Sequence, residues 1–205
     1  LEAFLLQKTK YSYTTSQALA NVMSRYYKLP KPEYIYNSFP AKERENMDGL
    51  FKDNKNTDLP SAYWFSQVIG PGRGLEVLFE GLKYTKVPFQ LHLRGTITPE
   101  YKIKLEALTP SHINLVIHKV VTNSELISRI AEHNLGLAIE ENSPESRNYT
   151  VTNKVFHYLQ SGIPILATET AGQLEIAQKA PEAIMIIPPD AEKIAYALDH
   201  LFQDL

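Results

Sequence analysis

From Ala62 onward, short apolar runs alternate with stretches whose apolar residues recur at helical spacing. "AYWFSQVI", "FQLHLRG", "INLVIHKV", "LGLAIEE", "PILATE" and "AIMIIP" have the length of strands. "GLEVLFEGLKY", "YKIKLEAL", "SELISRIAEH", "TNKVFHYLQSG", "GQLEIAQKA" and "DAEKIAYALDHLF" follow them with helical periodicity. Six strand–helix units in succession predict an α/β fold with a doubly wound parallel sheet. Several of the strands are apolar on both sides, as strands covered by helices on each face must be. Right-handed crossovers then make the domain Rossmann-like.

Upstream the pattern is sparser. "TTSQALANVMSRYY" predicts a helix that Thr15 or Ser16 caps, and "PEYIYNSFP" predicts a strand ending in a turn. Between residues 41 and 60, "AKERENMDGLFKDNKNTDLP" is charged, rich in Asn and Asp and poor in periodic apolar positions, which predicts a surface loop. The chain opens "LEAFLLQKTK", with neither an initiating Met nor the segments of a secretion signal, and reads as a piece of a larger protein.

Composition narrows the classes of function. With 205 residues, 43% of them hydrophobic, the chain is long enough for a sizeable core. A formal net charge of −2 gives no general attraction to nucleic acid or anionic lipid, although a local basic pocket is compatible with it. The lack of cysteine excludes disulfides, thiolate nucleophiles and Cys-based zinc sites and fits a reducing, cytoplasmic setting. No apolar run approaches the ~20 residues of a membrane span, so any membrane contact is expected to be peripheral, at the inner face. The "NYT" at Asn148 matches a glycosylation acceptor, for which chance is the better account here.

Three segments could carry chemistry. In "IGPGRGLEVL", Gly70, Gly72 and Gly74 surround Arg73 between the domain's first strand and first helix. Glycines let a backbone approach a ligand, and the following helix start favours an anion, phosphate above all. A tight turn that binds nothing explains the same residues. A dinucleotide fingerprint would put a third glycine where Leu75 stands, and no Gly-Lys-Ser/Thr follows, so NAD, FAD and P-loop readings are disfavoured. In "TNKVFHYLQSG", a helix beginning near Thr152 places Asn153, Lys154 and His157 on one edge, able to meet an anion or a sugar hydroxyl, while Val155 and Leu159 face the sheet. A solvated edge is the plain alternative. "LAIEENSPESRNY" drops into a polar loop at the carboxyl edge of the sheet, where open parallel sheets bind ligands; of Glu140 and Glu141, at most one faces a given cleft. Asp-x-Asp, HExxH and G-x-S-x-G are all absent, so no metal site and no serine nucleophile is expected.

Taken in order, these segments resemble the C-terminal half of a GT-B glycosyltransferase of the retaining, glycogen-synthase-like superfamily. "TTSQALANVMSRYY" and "PEYIYNSFP" resemble the passage from the N-terminal domain into the C-terminal one. "AYWFSQVIGPGRGLEVLFEGL" is similar to the strand, Lys/Arg-Gly turn and helix that open the donor-binding domain. "NKVFHYLQSGIPILATETAGQLEI" resembles the "nKxfEYlaaGxPvi" signature with its trailing "ei".

The resemblance implies residues 1–40 as a remnant of the N-terminal domain and connection, and 61–205 as the domain that binds a nucleotide-diphosphate sugar. Arg73 then stands beside the diphosphate with Gly72 and Gly74 permitting its approach, and Lys154 and Asn153 form the "NK" of the second helix start. His118, Lys119 and Val120 fall where the nucleobase packs. Many relatives carry two Glu with seven residues between them, the second on ribose. Tyr149 and His157 occupy those positions, so His157 takes the ribose contact and the first Glu's role has no carrier. Gln67 stands where relatives often have a second basic residue. The implied activity is metal-independent, retaining transfer of a hexosyl group, catalysed by Arg73 and Lys154 with no cofactor beyond the donor. The glycan or lipid-linked acceptor would be held mainly by an absent N-terminal domain, leaving this chain inactive alone. A GT-B-fold sugar-nucleotide epimerase and a non-catalytic partner module are the alternatives.

Overall fold

The computed structural model describes residues 2–55 and 58–203. Leu1, Asn56, Thr57, Asp204 and Leu205, which the boundaries above include, lie outside the described residues.

The chain opens with helix α1 (Glu2–Leu6), strand β1 (Tyr13–Thr14), helix α2 (Gln17–Tyr27) and strand β2 (Glu33–Tyr34), the two short strands pairing in parallel. Ser16 caps α2, its hydroxyl accepting the Leu19 N–H at 3.0 Å. The strand expected over "PEYIYNSFP" shrinks to two residues, because β1 offers it only two partners and Pro32 lacks an N–H to donate.

From Ser61 the alternation read in the sequence unfolds as β3 (Ser61–Val68), α3 (Leu75–Leu82), β4 (Phe89–Thr96), α4 (Pro99–Leu108), β5 (Ile113–His118), α5 (Asn123–Ile130) and β6 (Leu135–Ala138). It continues through α6 (Glu145–Tyr149), α7 (Asn153–Ser161), β7 (Ile165–Thr168), α8 (Ala171–Ala177), β8 (Ile184–Ile187) and α9 (Ala191–Gln203). Local chemistry sets several of the ends. Thr98 caps α4 with Pro99 at its first position, Thr170 caps α8, and Gly162 in the left-handed conformation (φ +77°) stops α7.

Among the described residues these strands form one parallel sheet in the order β5-β4-β3-β6-β7-β8. Successive residues of β3 serve opposite faces. Trp64 packs with Leu78, Phe79, Leu91, Leu105 and Phe202 under α3, α4 and α9, and Tyr63 packs with Ile130, Val155, Tyr158 and Ile176 under α5, α7 and α8. Both aromatics are fully buried, which is why this strand reads as apolar throughout.

Two upstream pieces dock on this frame. The Glu175 carboxylate on α8 accepts the first N–H groups of α2, from Gln17 at 3.0 Å and Ala18 at 2.8 Å, a charge placed at the positive end of the helix. Within the stretch 41–60, residues 41–55 are anchored rather than merely laid on the surface. They contain a 3₁₀ turn (Ala41–Asn46); Asp48 takes both carboxylate oxygens to Arg129 (2.7 and 2.6 Å), and the N–H groups of Asp53 and Asn54 donate to Glu132. Asp53 also pairs with the buried Arg94, and Asn54 is 3% exposed.

Candidate functional site

In an open parallel sheet the loops diverge where the strand order reverses, leaving a crevice at the carboxyl edge. Here the chain runs outward from β3 to β4 and β5, then returns to β6 on the other side of β3. A cavity of about 530 Å³ lies at that point. Its walls come from the end of β3 (Phe65 to Gln67), from Arg73 in the glycine turn, from Glu140 after β6 and from 150–154 leading into α7, with Thr15 and Asn37 entering from the upstream segment.

The glycine turn is shaped by backbone geometry. Gly72 and Gly74 have φ of +68° and +79°, a region closed to most side chains, and a Cβ on Gly74 would lie 2.2 Å from the Ile139 carbonyl oxygen. Gly74 therefore lets α3 begin hard against the end of β6 and delivers Arg73 into the cavity. Neither α3 nor α7 has a side-chain hydrogen bond at its N-cap (Gly74 and Thr152), so their first N–H groups keep their capacity for an anion.

Among the described residues, three cations and one carboxylate line the cavity. Lys154 Nζ donates to Glu140 Oε1 at 2.6 Å, with both side chains less than a fifth exposed, and lies 5.2 Å from the centre of the Trp64 ring. Glu140 is fixed in turn through its backbone, whose N–H and carbonyl bond the Thr168 hydroxyl, each at 2.7 Å. Arg73 Nη1 donates to the Ser66 hydroxyl at 3.2 Å. Arg147, on α6, donates from Nη1 to the Gly72 carbonyl. The cavity thus holds an excess of positive charge in a wall of fixed donors, an arrangement suited to a polyanion.

The structure brings Arg73, Glu140, Asn153 and Lys154 together on one cavity, with Gly72 and Gly74 shaping the turn that carries Arg73; Gly70 precedes that turn, and none of the three glycines is among the lining residues. Asn153 also accepts from the Asn37 amide at 3.0 Å, tying α7 to the upstream segment.

His157 does not share the exposed edge expected for it. It is 7% exposed, stacked on Phe39 at 3.8 Å and edge-on to Phe65 at 5.5 Å, because the upstream segment covers that side of α7 with an aromatic ring. Burial pushes its pKa down to about 4. His157 stands behind Phe65, off the cavity wall.

His118, Lys119 and Val120 are also not among the lining residues, since β5 is the outermost strand, two removed from β3. His118 Nε2 lies 2.8 Å from His92 Nδ1, the Lys119 carbonyl accepts from Arg94, and Val120 is exposed. Tyr149 turns away to donate to Glu145 at 2.9 Å.

Sequence reasoning missed Arg147, Thr15 and Asn37. The polar loop that carries Arg147 is marked in the sequence by its place at the sheet edge. Inside "SPESRNY", however, an arginine among acidic and small residues has the look of solvated charge.

No family model and no curated protein matches the chain by sequence. Solved structures do match in fold. A glycosyltransferase from Rickettsia africae ESF-5 aligns at TM-score 0.70 and 15% identity over 95% of this chain and 53% of its own. Anabaena Alr3699/HepE in complex with UDP aligns at TM-score 0.76 and 14% identity over 100% of this chain and 59% of its own. The trehalose-6-phosphate synthase OtsA aligns at 0.61 and 12% over 83% and 43%. The chain thus spans little more than half the length of the first two, and at these identities the likeness shows the fold. That fold is the Rossmann-like half of the two-domain GT-B architecture, as the succession of strand–helix units and the resemblance both led us to expect.

Proposed function

We propose that this chain is the donor-binding half of a glycosyltransferase, which moves a hexosyl group from a nucleotide-diphosphate sugar to an acceptor with retention and without a metal. The observation that carries the reading is the cavity at the strand-order reversal, which Arg73, Arg147 and the Lys154–Glu140 pair line beside two helix starts free of side-chain caps. The UDP complexes of a structure with the same fold support it. In the reaction the bond from the anomeric carbon to the phosphate oxygen breaks, and the diphosphate leaves with the electron pair. An acceptor hydroxyl forms the new bond on the same face and loses its proton. Charge grows on the leaving oxygen, and fixed N–H and guanidinium donors stabilise it with no reorganisation at the moment of reaction.

The lining carboxylate, Glu140, is engaged by Lys154, so on this reading the acceptor and the group that receives its proton belong to the N-terminal half. A two-domain cleft completes its site on closure, and the chain alone therefore binds better than it turns over. The compartment that fits a cysteine-free chain is the cytoplasm, with any membrane contact peripheral. No helix of the described residues is long and apolar enough to cross a bilayer. In the intact protein, Arg73→Ala and Lys154→Ala are each expected to lower turnover on the order of a hundred- to a thousandfold. Unchanged turnover and unchanged nucleotide affinity in both variants would overturn the proposal.

A further inference from the structure

The three cations of the cavity differ in how far their charge is already met. Lys154 sits against the Glu140 carboxylate at 2.6 Å, both largely buried, and that pair is close to neutral as a unit. Arg73 and Arg147 bond neutral partners, a hydroxyl and a backbone carbonyl. The surplus positive charge therefore resides on two guanidinium groups.

Their anchors place them as a pair. Arg73 is held from the β3 side through Ser66, and Arg147 reaches across from α6 to the Gly72 carbonyl, one residue before Arg73 in the turn. One N–H of Arg147 is used there. A guanidinium has five donors in a planar fork, so the rest of the group can meet phosphoryl oxygens in two-pronged fashion.

We propose that Arg147 is a phosphate-contacting residue of this cavity, which with Arg73 supplies one guanidinium for each phosphoryl group of a diphosphate, while Glu140 holds the charge of Lys154 in check. This rests on the donor-site reading above and goes beyond it, because it moves the dominant anion contact from Lys154 to a residue with no place in the sequence signature. It also explains why the site can do without a basic residue at Gln67. That side chain lines the same cavity, and Arg147 brings charge to it from α6.

The test uses inorganic pyrophosphate and UDP as probes, titrated calorimetrically into the wild-type chain and Arg147→Gln. The variant is expected to lose about 10- to 100-fold in affinity for both probes, the range for a charge-assisted contact of ~1.5–3 kcal/mol. In parallel, the wild-type chain is modified with phenylglyoxal and mapped by mass spectrometry, with and without saturating pyrophosphate. Pyrophosphate should shield Arg73 and Arg147 and leave the exposed Arg25 reactive. The second arm decides even where the variant does not fold.

Wild-type affinity retained in Arg147→Gln, or equal modification of Arg147 with and without pyrophosphate, overturns the inference while leaving the donor-site reading intact. Binding of pyrophosphate with Arg147 shielded, but no binding of UDP or other nucleoside diphosphates, overturns the donor reading and upholds the anion site. Failure of the wild-type chain to bind either probe overturns the inference as well.

Discussion

The turn that delivers Arg73 makes a quantitative prediction about one atom. Gly74 has φ +79°, and a Cβ there would lie 2.2 Å from the Ile139 carbonyl oxygen and 2.8 Å from its carbon. Two costs combine in Gly74→Ala. The left-handed conformation costs an L residue ~1–2 kcal/mol. Because the obstacle is backbone at the end of β6, not a side chain able to rotate, relief requires shifting α3 or β6, and overpacking of that kind costs ~1–3 kcal/mol. The expected loss is about 2–5 kcal/mol, a large part of the ~5–15 kcal/mol that stabilises a typical domain. Gly72 is an internal control. Its φ is +68°, but a Cβ added there would meet nothing within 4 Å, so Gly72→Ala carries only the first cost, ~1–2 kcal/mol. Trp64 is the sole tryptophan and is fully buried in the central strand, so its fluorescence reports urea unfolding of the whole sheet. Equal losses in the two variants, or a Gly74→Ala change within ~0.5 kcal/mol of wild type, would refute the close approach of α3 to β6.

Acid sensitivity should be steep. Burial, with smaller contributions from neighbouring imidazolium and guanidinium charges for the first three, holds His92, His118, His133 and His157 down to about 3, 4, 2 and 4. Each is neutral when folded but protonated when unfolded between its folded value and ~6.5, so stability is full above that pH and falls as pH drops toward 4. Each imidazole contributes ~1.4 kcal/mol per pH unit, and urea titrations near pH 5 should show about 3–5 kcal/mol per unit in total; a slope smaller than one proton's worth contradicts the burial. Asp53→Ala should cost ~3 kcal/mol by the same unfolding assay, because it strands the Arg94 guanidinium, 4% exposed, without its carboxylate; a neutral result would show that the pair does not stabilise the fold. Tyr158→Phe should cost ~1 kcal/mol, since the buried hydroxyl reaches the carbonyls of Tyr63 (2.9 Å) and Leu137 (3.1 Å), and a stabilised variant would contradict that.

The sheet was legible because its strands carry uninterrupted apolar runs and its helices keep a 3.6-residue period, so local pattern and global topology agree. The upstream segment was less so. Charged residues read as surface, yet Arg94, Arg129 and Glu132 are 3–5% exposed and bind the stretch 41–60, an outcome that depends on partners about 40 to 80 residues away. The same limit explains the site. Arg73, Lys154 and Asn153 sit at helix starts, where spacing alone says what they face. His157 is removed from the cavity by Phe39, a ring 118 positions earlier, and Arg147 is brought in by a bond to a carbonyl 75 positions earlier. Pattern reasoning finds what an element's own geometry places and overlooks what another part of the chain covers or recruits.

The central claim, that the cavity between β3 and β6 takes the diphosphate of a sugar nucleotide, is tested most directly by calorimetric titration of this chain with UDP, GDP and ADP. Saturable binding of at least one nucleotide, weakened in Arg73→Ala, is the predicted result. The absence of binding heat with all three, at several temperatures so that a zero enthalpy cannot hide it, would contradict the claim.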